Sequence, residues 1–230
     1  MSKLFLHWAA ALIGAGCLLT STQQTQAVES SVEELAREVA PKGWILYSAK
    51  TKAGDYDLWL ARPDGSQVRN LTQSPDFSEF GGRFSLDGKQ MLYRRMPRGD
   101  SINHDLWGAV GTLVTAGVDG SNPVVHGKDG DYPWASWSPD LKRIACLYKR
   151  EGKIRIFDLA SHQVVKEMPR LGIFQQMYWS PDGRRLCGTA NVQGQDWKIV
   201  SIDIESGKIA MVSRNLSCTP DWFQHDAGRL

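Results

Sequence analysis

Apolar residues along this chain come in short runs of four to eight, often alternating with polar ones, and each run ends in a cluster of Gly, Pro, Asp or Ser. Such runs predict β-strands joined by tight turns. Lys153-Ile154-Arg155-Ile156-Phe157 and Trp197-Lys198-Ile199-Val200-Ser201-Ile202 read as strands, as do Tyr56-Asp57-Leu58-Trp59-Leu60-Ala61 and Thr112-Leu113-Val114-Thr115-Ala116. Helical spacing predicts one short helix, where Ser31-Val32-Glu33-Glu34 has the form of a capping box. Val32, Leu35, Ala36 and Val39 then share a face before Pro41 ends it.

The strands belong to a repeat. Phe84-Ser85-Leu86-Asp87-Gly88, Trp137-Ser138-Pro139-Asp140-Leu141 and Trp179-Ser180-Pro181-Asp182-Gly183 align, with a looser copy at Trp222 and a degenerate one beginning at Trp44. Taking the aromatic as the marker, the spacings are 53, 42 and 43 residues, a period that predicts stacked supersecondary units. In Ser180-Pro181-Asp182-Gly183 the residue types of a hairpin turn stand in order, and the other copies keep them in part. Pro139 and Pro181 preset φ, Asp140 and Asp182 accept local N–H groups, and Gly183 takes the left-handed position. Trp137, Trp179 and Trp222 are expected to occupy one structural position in successive units and to fill the space between them. Four short antiparallel strands per unit is the blade of a β-propeller. A β-sandwich would not repeat the aromatic-Ser-Pro-Asp turn in register.

The aromatic-Ser-Pro-Asp-Gly turn, the Asp57-Leu58-Trp59 strand and the Asp64-Gly65 turn resemble the TolB-type propeller repeat, over roughly residues 41 to 230. The resemblance implies an all-β chain of four-stranded antiparallel blades. The same repeat occurs in the propellers of prolyl-oligopeptidase-like peptidases and of some pectin-fragment lyases, so it speaks to architecture more than to activity. The N-terminal α/β domain of TolB itself has no counterpart here, because residues 28–40 hold only the short helix. Counting from Trp44, the sequence supplies about four blades and, at Trp222, the start of a fifth. That count predicts a partial propeller, with closure by a strand from Leu216 to Phe223 as the alternative.

Residues 1–27 are set apart as a signal peptide: Lys3, an apolar stretch from Leu4 to about Leu19, and a polar exit through Thr25-Gln26-Ala27. Cleavage after Ala27 competes with lipid attachment at Cys17. Export to the periplasm or the extracellular space of a bacterium is therefore expected, with no transmembrane span once the leader is removed. The chain carries 27 basic and 25 acidic residues, a net charge of +2, and this balance implies neither nucleic acid nor an anionic membrane as partner. Cys146, Cys187 and Cys218 lack paired short spacings and are expected to be small apolar residues on strands.

Searches for chemistry return little. There is no Gly-x-Ser-x-Gly elbow and no phosphate-binding glycine loop. His104, His126, His162 and His225 show no zinc spacing and read as unrelated surface or loop residues. Asp129-Gly130-Asp131 lacks the later ligands of a calcium loop, and Arg98-Gly99-Asp100 matches an adhesion tripeptide by only three residues. The long second unit is different. Its extra residues, from Met96 to Gly108, form a candidate binding loop in which Asp100, Asn103, His104 and Asp105 supply polar contacts and Trp107 a stacking platform. The reading is of an exported, non-catalytic propeller that binds a protein or envelope component through its loops and channel mouth, without metal or cofactor. The alternatives are a propeller enzyme acting on sugar or peptide fragments, or the propeller part of a larger peptidase.

Overall fold

The computed structural model describes residues 31–99, 110–127, 132–148, 150–168, 173–191, 197–213, 216–217, 220 and 222. Residues 31–39 are helical, and the helix tightens into a 3-10 turn at Ala40–Lys42, where Pro41 stands at its start. Fifteen strands come next, in four antiparallel meanders. The first sheet holds β1 (Ile45–Lys50), β2 (Tyr56–Ala61) and β3 (Arg69–Asn70) in that order. The second runs β4 (Phe77–Phe84), β5 (Gln90–Pro97), β6 (Thr112–Gly117), β7 (Val124–His126). The third runs β8 (Ala135–Trp137), β9 (Arg143–Tyr148), β10 (Lys153–Asp158), β11 (Val164–Met168), and the fourth β12 (Ile173–Trp179), β13 (Arg185–Asn191), β14 (Lys198–Asp203), β15 (Ile209–Met211). One three-stranded and three four-stranded meanders, adjacent in sequence, are propeller blades, and the fold is a β-propeller. Leu216, Ser217, Pro220 and Trp222 are in no strand; Ser217 N donates to Trp197 O, beside β14.

The described chain separates into two compact units. One comprises residues up to Ile45 together with Leu60–Arg69, and the other Leu46–Trp59 with everything from Asn70 onward. In the small unit the Arg62 guanidinium stacks 3.8 Å above the Trp44 ring and donates to Gly43 O.

Inside the large unit the core forms three slabs, each between successive sheets. Second strands are covered on both faces, so they read as continuous apolar runs while still alternating in direction. Along β9, Ile144, Cys146 and Tyr148 face the second sheet, where Leu92 and Leu113 meet them. Ala145 and Leu147, between them, face the fourth sheet and pack with Leu186, Val200 and Trp179. The third slab joins Leu46 and Leu58 of the first sheet to Met91, Tyr93 and Val114 of the second. Cys146 and Cys187 are buried on β9 and β13 and are not joined in a disulfide; Cys218 lies outside the described residues.

The repeated turn has one hydrogen-bond pattern in three copies. Ser85, Ser138 and Ser180 are buried; each hydroxyl donates to the Asp two residues on, at 2.7, 2.5 and 2.6 Å, and accepts the N–H five residues on, at 3.0, 2.9 and 2.9 Å. The Ser85 and Ser180 hydroxyls, then the Lys89 and Arg184 N–H groups, hold the Asp87 and Asp182 carboxyls below their ordinary range. At Asp140 burial pushes the other way, but Ser138 and the Lys142 N–H outweigh it. The left-handed position is filled by Gly88, by Gly183 and, in the third sheet, by Leu141 at φ 56°.

The marker tryptophans tie one sheet to the next. Trp137 and Trp179 are buried, and their indole N–H groups donate to Arg83 O (3.4 Å) and Ser136 O (3.1 Å). Trp222 Nε1 donates to Tyr178 O at 3.1 Å. The three acceptors are equivalent, each being the residue just before the marker of the preceding sheet.

Chemical denaturation should register these contacts. Trp179→Ala should lose about 3–5 kcal/mol, and Trp179→Phe, which keeps a ring but leaves the Ser136 carbonyl unsatisfied, about 1–2 kcal/mol. Equal stability of Trp179→Phe and wild type would mean that the indole bond contributes nothing. At the turn, Leu141→Gly should be stabilising by up to about 1 kcal/mol and Gly183→Ala destabilising by about 1 kcal/mol. A Cβ at Gly183 meets only Pro139, at 3.9 Å, so backbone conformation alone carries that cost.

Candidate functional site

The first strands of the second, third and fourth sheets line a common recess. Its walls come from Arg83 on β4, Ser136 and Trp137 on β8, and Tyr178 and Trp179 on β12, around a volume of about 360 Å³. Arg83 also borders a second recess of about 320 Å³, whose far side is Arg94 and Trp134. Local backbone irregularity aims these side chains. The ladder of β4 on β5 slips between Phe80 and Arg83, and that of β12 on β13 between Gln175 and Tyr178. Bulges of this kind bend a strand and re-aim the side chains on its far side. At the first of them Gly82 is required, because a Cβ there would come within 2.7 Å of Leu46.

Arg83 is half-buried and its Nη2 donates to Tyr178 Oη at 3.3 Å. Its guanidinium lies 4.8 Å from the Tyr178 ring centre and 5.3 Å from that of Trp134. The Arg94 guanidinium approaches the same Trp134 ring at 5.9 Å. Burial, and then the charge of Arg83, push Arg94 down to about 10. Trp134 has a buried Nε1 with no hydrogen-bond partner among the described residues. No Asp or Glu lines either recess among the described residues. The arrangement is a guanidinium set between two aromatic rings.

A second cleft, of about 580 Å³, is bordered by Asp57, Trp59, Asn70 and Arg98. Asp57 accepts from Asn70 Nδ2 at 2.5 Å, and Arg98 donates to Ala53 O and Pro75 O. The candidate loop residues Asp100, Asn103, His104, Asp105 and Trp107 come after Arg98 in sequence and lie outside the described residues, as do His225, Asp129 and Asp131.

The histidines depart from expectation. His126 is buried rather than superficial, its Nε2 is hydrogen-bonded to Thr115 Oγ1 at 2.9 Å, and its ring centre lies 5.3 Å from that of His162, the planes tilted by 49°. His162 occupies a left-handed turn position, φ 58°, matched by Gly207 in the next sheet, and this conformation brings its ring back onto β7. Burial, and then His162, push His126 down to about 4. Among the described residues no three His, Cys, Asp or Glu side chains are placed to hold a metal ion.

Sequence reasoning missed Arg83, Arg94, Trp134 and Tyr178. A signal for two of them existed. Arg83 and Tyr178 are the residues just before Phe84 and Trp179, so a comparison of the position preceding each marker exposes them.

No family model matches the chain, and no curated protein sequence matches it. Among solved structures it is similar to puromycin hydrolase, at 19% identity and TM-score 0.55, covering 74% of this chain and 28% of that one. It is also similar to a putative TolB from Agrobacterium tumefaciens, at 15% identity and TM-score 0.50, covering 74% and 62%. The β-propeller domain of the Trilobed protease from Pyrococcus furiosus matches at 12% identity and TM-score 0.50, covering 74% and 53%. These likenesses establish the propeller fold. The chain spans less than two thirds of the length of each of these structures.

Glu79 gives the molecule a pH dependence. It is buried, its Oε2 has no hydrogen-bond partner among the described residues, and burial raises its carboxyl to about 7, with Asp57 adding to the rise and Thr72 opposing it. Because the folded state holds this proton more tightly than the unfolded one, the stabilisation is full below pH ~4.5 and is lost as pH rises through ~7. Glu79→Gln should therefore remove a decline on the order of 1–2 kcal/mol across that window, after solvent screening. His126 acts with the opposite sign, its stabilisation being lost as pH falls through ~4. Parallel stability profiles for Glu79→Gln and wild type from pH 4.5 to 7.5 would contradict the assignment.

Proposed function

We propose that this chain is an exported, non-catalytic propeller that binds a protein or envelope component at the mouth formed by its first strands. The observation that carries the reading is the aromatic-walled recess around Arg83, where side chains of three successive sheets converge on one accessible cation. Propellers of this build appear both in a putative TolB and as a domain of a protease, so the scaffold alone does not choose an activity. The side chains favour binding over catalysis, since Tyr, Trp and Arg are the residues that dominate protein recognition sites. Export rests on the leader of residues 1–27, and lipid attachment at Cys17 would hold the same propeller at a membrane face.

Crosslinking of the exported protein in envelope extract, quantified by mass spectrometry, tests this reading. Trp134→Ala and Tyr178→Ala should each reduce the yield of the specific partner at least about tenfold, the scale of an interface anchor. Val165→Ser, on the exposed outer strand β11, should leave it unchanged. Equal yields from all variants would move the binding site elsewhere on the protein.

A further inference from the structure

We propose that the recess beside Arg83 is a carboxylate-binding site, taking an acidic group of a partner peptide between the Trp134 and Tyr178 rings. The proposal rests on the partner-binding reading above and names the chemistry of what enters. Arg83 is the decisive group. Its guanidinium is half-buried, and the bond it makes, to the Tyr178 hydroxyl, is to a neutral oxygen that leaves the positive charge uncancelled. A charge removed from water on two aromatic walls is stabilised by an incoming anion more than the same charge on an open surface.

The surroundings select the anion. A second guanidinium, Arg94, lies 5.9 Å from the centre of the same Trp134 ring, and among the described residues no acid lines either recess to compete for Arg83. A guanidinium matches a planar carboxylate with two parallel hydrogen bonds. The apolar walls, among them Leu46, Leu92 and Trp137, suit a carboxylate attached to an apolar or aromatic residue better than a heavily hydrated dianion. Trp134, whose ring borders the second recess, has a buried N–H with no partner among the described residues.

The Trp134 indole resonance, assigned by its loss in Trp134→Phe, reports on the site in solution. N-acetyl-phenylalanine offers a terminal carboxylate, N-acetyl-glutamic acid α-amide a side-chain carboxylate, and N-acetyl-phenylalaninamide neither. A saturable shift is expected with one or both acids, at least about tenfold weaker with the amide and in Arg83→Gln, and weakening with salt. The tighter of the two acids identifies whether a chain terminus or an acidic side chain is the natural source. Arg83→Gln keeps a side-chain donor toward Tyr178, and its melting profile shows that the fold is intact; Arg83→Lys should restore part of the binding. Equal shifts from acid and amide, indifference to Arg83→Gln, or no shift with either acid at tens of millimolar would overturn the proposal. If the crosslinked partner still depended on Trp134 and Tyr178 under those outcomes, the partner site would stand and only its anionic chemistry would fall.

Discussion

A buried indole must place its N–H somewhere, and in this chain the acceptor is supplied by the neighbouring sheet. Trp137, Trp179 and Trp222 each donate to the carbonyl one residue before the preceding marker. The rule is recursive. A sheet that shifted by one residue against its neighbour would lose this bond and carry Ile144, Cys146 and Tyr148 out of their places against Leu92 and Leu113. Apolar packing between sheets is non-directional and tolerates small slips, whereas a single hydrogen bond from a fixed ring does not. The slabs of core therefore supply most of the stabilisation, and the indole bonds fix the register in which it is realised.

The Ser-x-Asp turn makes that register local. The serine hydroxyl donates to the aspartate and accepts the N–H that opens the second strand, so turn and strand start are set by residues within six positions of each other. Interactions this short in sequence leave a strong trace, which is why the blades and the marker tryptophans are legible from residue pattern alone. Leu141 shows the limit of that trace. It departs from glycine yet keeps φ 56°, because the Ser138 and Asp140 bonds on either side hold the turn against the penalty of a left-handed leucine.

The features that stay illegible depend on contacts distant in sequence. Arg83 and Tyr178 are 95 positions apart and belong to alternate sheets. Neither residue stands in a motif, and an arginine before a phenylalanine carries no chemical signature by itself. His126 and His162 read as unrelated for the same reason: their proximity is created by pairing β7 and β11 into neighbouring sheets and by the left-handed turn at His162. Burial escapes the sequence there too, since a three-residue outer strand gives no period from which to predict that His126 faces inward.

The position before each marker sets register through its main chain and lines the recess through its side chain. Its carbonyl is committed to the fold, accepting the next sheet's indole, and in the second and fourth sheets it comes directly after a bulge that turns its side chain toward the recess. The backbone requirement is met by any residue, so it leaves the choice of side chain open. The three occupants differ accordingly: arginine, serine and tyrosine, at Arg83, Ser136 and Tyr178. Variation at this converging position places chemical differences where side chains of three sheets meet. The scaffold thus separates its own register from the lining of its recess within single residues, the main chain serving one and the side chain the other.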